Sequence, residues 1–377
     1  MKTIRDIAHI DGVKVLLRLD LNVPIEHGAV ADDFRIRKSL PTLKWLRTRG
    51  AKTIIVSHIE GPGNSEDSLE PIARYLEKQG HPVVFIKNYR TAMDHIARMN
   101  NGDVVLLENL RLHEGEKKNS AEFAQELASL ADIYVNEAFS VSHRKHASVA
   151  AITGFLPSYA GLLFDEEVKN LSVAFHPQRP FLFILGGAKF ETKIPLIEKF
   201  MESADTVFVG GALSNNFFKE QGKEIGLSTV SQQDYNLKRY FNSPKLMLPI
   251  DVVVVKDGIR SVKRIDDLSP EDSIMDAGPE TMAALKKKIN ASRSVLWNGP
   301  LGLYQDGYKQ PTLDLAAMIA DSGAQSVVGG GDTLAAIAEL GIEDKLSFVS
   351  TGGGATLDFL ANETLPGIEA LKSNSIS

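Results

Sequence analysis

Short apolar runs alternate along the chain with segments of helical spacing. In the first half the runs are VKVLL, AKTIIVSH, HPVVFIK, GDVVLLEN and ADIYVNEA, separated by RIRKSLPTLKWLRTRG, LEPIARYLEKQG and AEFAQELASLAD. The second half repeats the style with FLFILGG, DTVFVGG, LMLPIDVVVV, SVLWNGP, QSVVGGG and LSFVSTGGG. Nearly continuous apolar strands that alternate with helices predict parallel sheets covered on both faces. No fixed-period repeat and no low-complexity tract is present, so the pattern describes two similar architectures rather than an array. The boundary falls in GFLPSYAGLLFDEEVKNLSVAFHPQRP, where DEEVKNLSVAF reads as a connecting helix and PQRP leads into a fresh strand. The expectation is an α/β protein of two lobes with parallel sheets, joined by a helix around a central cleft where a ligand would bind.

Length agrees with two lobes, since 377 residues exceed one ordinary core. Apolar residues at 43% and charged residues at 24% describe a globular chain rather than a disordered one. The net charge of −6 argues against general nucleic-acid binding, although a basic pocket can sit inside an acidic total. Cysteine is absent, which removes disulfides, thiolate metal sites and cysteine nucleophiles and suits a reducing compartment. The start MKTIRDIAHIDG lacks the apolar core of a signal peptide, and no apolar run is long enough to span a membrane; even LMLPIDVVVVK is cut by Asp251. The expected location is the cytoplasm, with no membrane partner.

Chemistry enters with the glycines. Five apolar runs of the second half end at Gly186-Gly187, Gly210-Gly211, Gly299, Gly329-Gly330-Gly331 and Gly352-Gly353-Gly354. Strand-to-helix turns use glycine for geometry alone, but in a parallel sheet all five would emerge on one edge, where backbone N–H groups can meet an anion. A phosphate or nucleotide site is the stronger reading of five together. No P-loop is present. Lys189 and Lys193, four apart at a predicted helix start in GGAKFETKI, would project toward one anion, with Pro195 expected in the first turn. Asp332, after Gly331, is either a plain N-cap or the acidic group for a phosphate-bound Mg²⁺, and Thr333 adds a hydroxyl and an N–H.

The first half is basic where its strands end. Arg18, Asp20 and Asn22 alternate at the end of the first strand, Arg35 falls in DDFRIR, His58 closes TIIVSH, Arg111 sits in LLENLRLH, and His143, Arg144 and His146 crowd SVSHRKHAS. Taken singly, each is an ordinary surface ion-pair residue. Together, in an acidic protein, they describe a pocket for a small polyanion. The His143/His146 pair lacks carboxylate or thiolate partners spaced for zinc. One lobe holding a nucleotide and the other a small anionic substrate fits phosphoryl transfer, whose catalysis is mainly positioning and charge neutralisation.

These segments resemble the phosphoglycerate kinase family. VLLRLDLNVP, DDFRIR, LLENLRLH, SHRKHAS, GGAKFETKI, WNGPLG, GGGDT and STGGGATLDFLANETLPGIEAL follow in family order from residue 1 to residue 372. The resemblance implies two Rossmann-like three-layer lobes: residues 1–160 for 3-phosphoglycerate, 161–360 for the nucleotide with the connecting helix, and 361–377 returning to the N-terminal lobe. It implies reversible transfer of the acyl phosphate of 1,3-bisphosphoglycerate to Mg-ADP, giving ATP and 3-phosphoglycerate, by a monomer. Asp20 and Asn22 would hold the glycerate, and Arg18, His58, Arg111 and Arg144 would surround its phosphate. Arg35 and Lys189 would stabilise the transferring phosphoryl group from the two lobes, and Lys193 would contact nucleotide phosphates. Gly187, Gly210 and Gly211 would shape the adenine pocket, with Asn298 and Pro300 nearby and Gln305 at the ribose. Asp332 would serve the metal, while Gly331, Thr333 and the Gly352, Gly353, Gly354 turn would meet the phosphates. The acceptor in the ATP-consuming direction is a carboxylate, already an anion at neutral pH, so no general base is required.

Three departures from the family pattern stand out. H-L-G-R-P becomes His58-Ile59-Glu60-Gly61-Pro62, which loses an arginine and adds a carboxylate, and the loop GNSEDS after it is short. Loss of one charge-assisted phosphate contact costs about 1.5–3 kcal/mol, or roughly ten- to a hundredfold in affinity. Gln305 stands where a glutamate normally meets the ribose, and GTAH becomes Ser140-Val141-Ser142-His143. The alternatives are a paralogue with reduced activity or another acyl phosphate, and a non-catalytic two-lobed binder of nucleotide or phosphosugar. Cations directed at one phosphoryl group from both lobes argue against the binder. A Rossmann dehydrogenase is weaker still, since no G-x-G-x-x-G follows the first strand.

Overall fold

The computed structural model describes residues 1–60 and 68–374. The chain divides into two compact units, one of Met1–Lys169 with Asn362–Ser377 and one of Asn170–Ala361.

In the first unit, β1 (Lys14–Arg18) leads through a hairpin of β2 (Ile25–Glu26) and β3 (Ala29–Val30) to α1 (Phe34–Thr48). There follow β4 (Lys52–Val56), α2 (Glu70–Lys78), β5 (Val84–Ile86), α3 (Ala92–Ile96) and β6 (Val104–Leu107). Then come α4 (Glu114–Lys117), α5 (Ala121–Ala128), β7 (Ile133–Asn136), β8 (Ser158–Ala160) and α6 (Leu162–Ser172). The sheet runs β5-β6-β4-β1-β7-β8, with every pairing parallel. Val15 and Leu17 on one face of β1 and Leu16 on the other are all fully buried, as a sheet covered on both sides requires. Arg18 is level with Val56 on β4 and Asn136 on β7, so three strand ends finish together.

The connecting helix begins earlier than its sequence suggested, at Leu162, because the buried Glu137 accepts hydrogen bonds from the N–H groups of Leu163 (3.1 Å) and Phe164 (3.3 Å) in its first turn. The division between the units falls within it, after Lys169.

The second unit has β9 (Phe181–Leu185), α7 (Phe190–Ser203), β10 (Thr206–Val209), α8 (Ala212–Glu220) and the short β11 (Leu246–Met247). An antiparallel excursion follows: β12 (Asp251–Lys256), β13 (Ile259–Arg264) and β14 (Ser273–Ala277). The chain closes with α9 (Pro279–Ala291), β15 (Ser294–Asn298), α10 (Gln310–Ala320), β16 (Gln325–Gly329), α11 (Gly331–Leu340), β17 (Phe348–Val349) and α12 (Gly354–Asn362). Last, α13 (Pro366–Ser373) belongs to the first unit, where the Gly367 N–H donates to Ser142 O at 2.8 Å.

The parallel sheet is β11-β10-β9-β15-β16-β17. All five glycine-ended strands, β9, β10, β15, β16 and β17, therefore share one C-terminal edge. The run LMLPIDVVVV is two elements rather than one strand. Leu246–Met247 joins the parallel sheet, while Asp251 onward pairs antiparallel in a separate three-stranded sheet. Asp251 turns the chain because it caps α9, accepting from the N–H of Glu280 (3.0 Å) and of Thr281 (2.8 Å). Pro195 is also deeper than expected. It is the sixth residue of α7, inside the helix rather than in its first turn. No described helix is long and apolar enough to cross a membrane.

Candidate functional site

In the first unit the ends of β1, β4, β6 and β7 bring the expected basic residues together, but in two tiers. Arg18 and His58 form the buried tier, both almost fully inaccessible. Arg18 Nε donates to Ser148 Oγ (2.9 Å), its NH1 group to Leu19 O, and its NH2 group lies 3.1 Å from His58 Nδ1. Ser148 Oγ in turn donates to the buried Glu116 carboxylate at 2.7 Å. A guanidinium facing Nδ1 leaves that nitrogen no proton, so His58 carries its hydrogen on Nε2. Burial holds the His58 imidazole well below its ordinary pKa, reinforced by Arg18, Arg111 and Arg144. Burial and the same arginines push His146 down to about 4. Neither His58 nor His146 therefore adds positive charge to this pocket near neutral pH. Arg18, expected at the substrate phosphate, is covered, and its guanidinium faces His58.

The outer tier is Asp20, Asn22, Arg35, Arg111 and Arg144. Arg35 NH1 lies 3.2 Å from Asp20 Oδ2 and donates to Asn22 O at 3.2 Å. Asp20 also accepts from Ser140 Oγ and from the Asn22 N–H (3.0 Å). Asn22 Oδ1 accepts from the Glu60 N–H at 2.9 Å. Glu60 then places its carboxylate on Arg111 NH1, with Arg144 NH1 at 3.7 Å. The Arg111 side chain is only 6% exposed, and its Nε and NH2 groups are buried without a partner. Arg144 Nε is 3.3 Å from His143 Nε2. Gly61 and the loop after it lie outside the described residues.

In the second unit, the glycines let strand ends and helix starts interlock. Gly186 accommodates Pro300 O, which would stand 2.1 Å from a Cβ there. Gly211 adopts φ +59°, and a Cβ would lie 2.6 Å from the Gly187 nitrogen. Gly187 N donates to Pro300 O (2.8 Å), and Gly186 N to Asn298 O (2.9 Å). Gly210 packs against Phe208 and Leu301. Lys189, exposed, occupies the N-cap position of α7, and Lys193 is one turn on. The two differ in setting. Lys193 is buried and donates to Gly186 O, and burial pushes its ammonium down to about 8 against the pull of Asp332.

Asp332 is the second residue of α11 rather than its N-cap, which is Gly330, and its Oδ1 accepts from Gln305 Nε2 at 3.2 Å. Thr333 is fully buried, and its hydroxyl accepts from the Gly299 N–H (3.1 Å). The hydroxyl expected at a phosphate thus ties the WNGP turn to α11. Gly331 opens α11 and Gly354 opens α12, while Gly352 N donates to Ser350 Oγ (3.2 Å).

A cavity of about 240 Å³ opens beside these elements, lined by Gly187, Gly211, Met275, Pro300, Leu303 and Gln305 among others. Several of its lining residues escaped the sequence reading, among them two buried polar ones. Asn215 is buried on α8 with Oδ1 unpartnered, and Asp276 on β14 has an unpartnered Oδ2 and a carboxyl pushed up by burial to about 7. Neither sits in a glycine-rich motif. Only the unexpected antiparallel sheet carries Asp276 to the cavity. Near the start of α11 Asp332 offers a carboxylate and the helix N-termini suit phosphate, which fits a Mg²⁺ held mainly by phosphate oxygens and water.

Two parallel α/β units, one with an arginine cluster at its strand ends and one with glycine-lined strand ends around paired lysines, define a phosphotransferase. The model of the family described as phosphoglycerate kinase matches residues 4–363. The chain belongs to the phosphoglycerate kinase family. It is 42% identical to the phosphoglycerate kinase of Dictyoglomus turgidum, over 98% of this chain and 99% of that one. The Chlorobium chlorochromatii phosphoglycerate kinase is also 42% identical, with 99% of each covered. The solved phosphoglycerate kinase structure from Coxiella burnetii superposes with a TM-score of 0.86 at 36% identity, covering 98% of both chains.

Proposed function

We propose that this chain transfers the acyl phosphate of 1,3-bisphosphoglycerate to Mg-ADP, reversibly, giving ATP and 3-phosphoglycerate in the glycolysis of a cytoplasm. The single observation that carries this reading is the pairing of an arginine cluster and a lysine–glycine edge on the two halves of a chain that matches the family over residues 4–363. Residues 1–160 would take the glycerate and 161–360 the nucleotide, with 361–377 completing the first unit. The chain would work as a monomer.

In the ATP-consuming direction, a carboxylate oxygen of 3-phosphoglycerate forms the new bond to the terminal phosphorus as the bond to the bridging oxygen of the nucleotide breaks. The attacking group is already ionised, so no residue need remove a proton. The protein must orient both reactants and neutralise the phosphoryl oxygens. Arg35, pre-positioned by Asp20 and Asn22, would do so from the acceptor side, and Lys189 from the donor side. Arg111 and Arg144 would bind the substrate phosphate, with His58 Nε2–H as a neutral donor held by Arg18. Lys193 and the N–H groups at the starts of α11 and α12 would bind nucleotide phosphates, and the cavity of α8 and β14 the base. Asp332 would hold Mg²⁺, which supplies charge neutralisation between the phosphates when bound.

Steady-state ATP consumption with 3-phosphoglycerate, coupled through glyceraldehyde-phosphate dehydrogenase to NADH loss, tests the reading. Turnover that falls by at least a hundredfold in Arg35→Ala and in Lys189→Ala supports it. Absence of turnover in a folded wild-type chain would overturn it.

A further inference from the structure

We propose that Glu60 sets the anion affinity of this site, as a tethered carboxylate that occupies the Arg111–Arg144 subsite and that an incoming phosphate must displace. The inference rests on the reading of that cluster as the substrate site, and it concerns how tightly the site accepts anions.

Three observations carry it. The Glu60 carboxylate sits on Arg111 NH1 with Arg144 NH1 at 3.7 Å, so one oxygen engages both guanidinium groups. Its backbone is fixed as well, through the N–H donated to Asn22 Oδ1 at 2.9 Å. The occupation is also incomplete. Arg111 keeps Nε and NH2 buried and unpartnered, two donors that one carboxylate oxygen does not reach. A tetrahedral oxyanion with three acceptor oxygens can engage a guanidinium in two-pronged fashion and satisfy what Glu60 leaves open. Burial of Arg111 raises the value of that exchange, since a desolvated guanidinium without acceptors is costly.

The consequence is a common penalty. Glu60 is covalently attached and pays no translational entropy for its place, so every anion that uses the subsite competes with it. A substrate held elsewhere as well, by Asp20, Asn22 and Arg35, keeps useful affinity under that penalty, and a weakly held anion such as inorganic phosphate does not. An anion binds only the fraction of molecules in which Glu60 has left, and its apparent dissociation constant rises by the inverse of that fraction.

The test is calorimetric titration of the full chain, wild type and Glu60→Gln, with 3-phosphoglycerate and separately with inorganic phosphate. Glutamine keeps the shape and removes the charge. Mg-ADP binding serves as the fold control, and Glu60→Ser is the second variant should the first not fold. Affinity for both anions is expected to rise about tenfold in the variants, the range set by one charge-assisted contact. Unchanged or weakened phosphate binding in folded variants would overturn the proposal. If inorganic phosphate tightens while 3-phosphoglycerate binds neither protein, the role of Glu60 stands and the substrate assignment falls.

Discussion

Lys193 offers the sharpest handle on the nucleotide side. Its ammonium is buried, bonded to Gly186 O and neighboured by Lys189, and its pKa is pushed down to about 8. Against an ordinary value of 10.5, the charged form is disfavoured by roughly 3 kcal/mol in the empty site. A polyphosphate placed beside it reverses the balance, because the new anion favours the charged ammonium. Binding should therefore take up protons. The free protein carries the proton on about 90% of molecules at pH 7, half at pH 8 and about 10% at pH 9, so uptake at pH 8 is about 0.5 proton per nucleotide. The same fractions make affinity for Mg-ADP fall about tenfold from pH 7 to pH 9. The sign is fixed: a lysine whose pKa is low in the free site and restored in the complex loses binding as pH rises. Calorimetry at pH 8 in two buffers of different ionisation enthalpy measures the uptake, and Lys193→Met should abolish it with the pH slope. Equal heats in both buffers, or the same uptake in the variant, would refute the reasoning.

The neutral histidines make a second prediction: at pH 5.5, ¹⁵N-resolved NMR should find His58 still in its Nε2–H form and His146 still uncharged, where an ordinary imidazole would be mostly protonated. A protonated His58 at that pH would contradict its hydrogen bond to Arg18. Asp251→Ala should destabilise the second unit by about 1–3 kcal/mol through loss of the α9 cap, and Asp251→Asn by less, read from denaturant unfolding by Trp297 fluorescence in a Trp45→Phe background. Gly186→Ala, which would drive a Cβ against Pro300 O, should cost about 1–3 kcal/mol and weaken Mg-ADP binding, because the carbonyl it meets is main chain and cannot rotate aside.

The β–α alternation and the glycine edge were legible because they are local: each apolar run and each terminal glycine declares its own place, and a parallel sheet does the rest. The basic residues of the first unit were legible as a group for the same reason. Their depth was not. Arg18 lies on a strand whose two faces are both covered, and only the register beside Val56 and Asn136 shows that its guanidinium is enclosed by Ser148 and His58. VVVV reads equally well as a parallel or an antiparallel strand, and the deciding contact, Asp251 on the start of α9, spans some thirty residues. Thr333 reads as a phosphate ligand because glycine and aspartate precede it. Its second partner was not legible, because the turn that its hydroxyl ties, through Gly299, lies 34 residues away. Glu60 was visible as a departure from pattern, but its attachment to Arg111 and Arg144 follows from the meeting of β4, β6 and β7 at one edge.

Transfer between a nucleotide and a carboxylate can be watched by ³¹P NMR of the full chain with Mg-ATP and 3-phosphoglycerate, in a hydrazine-free buffer to preserve the product. An acyl-phosphate resonance and a rise of ADP are expected, both requiring 3-phosphoglycerate and both lost in Arg35→Ala. ADP formed equally without 3-phosphoglycerate, or an acyl phosphate undiminished in Arg35→Ala, would refute the assignment.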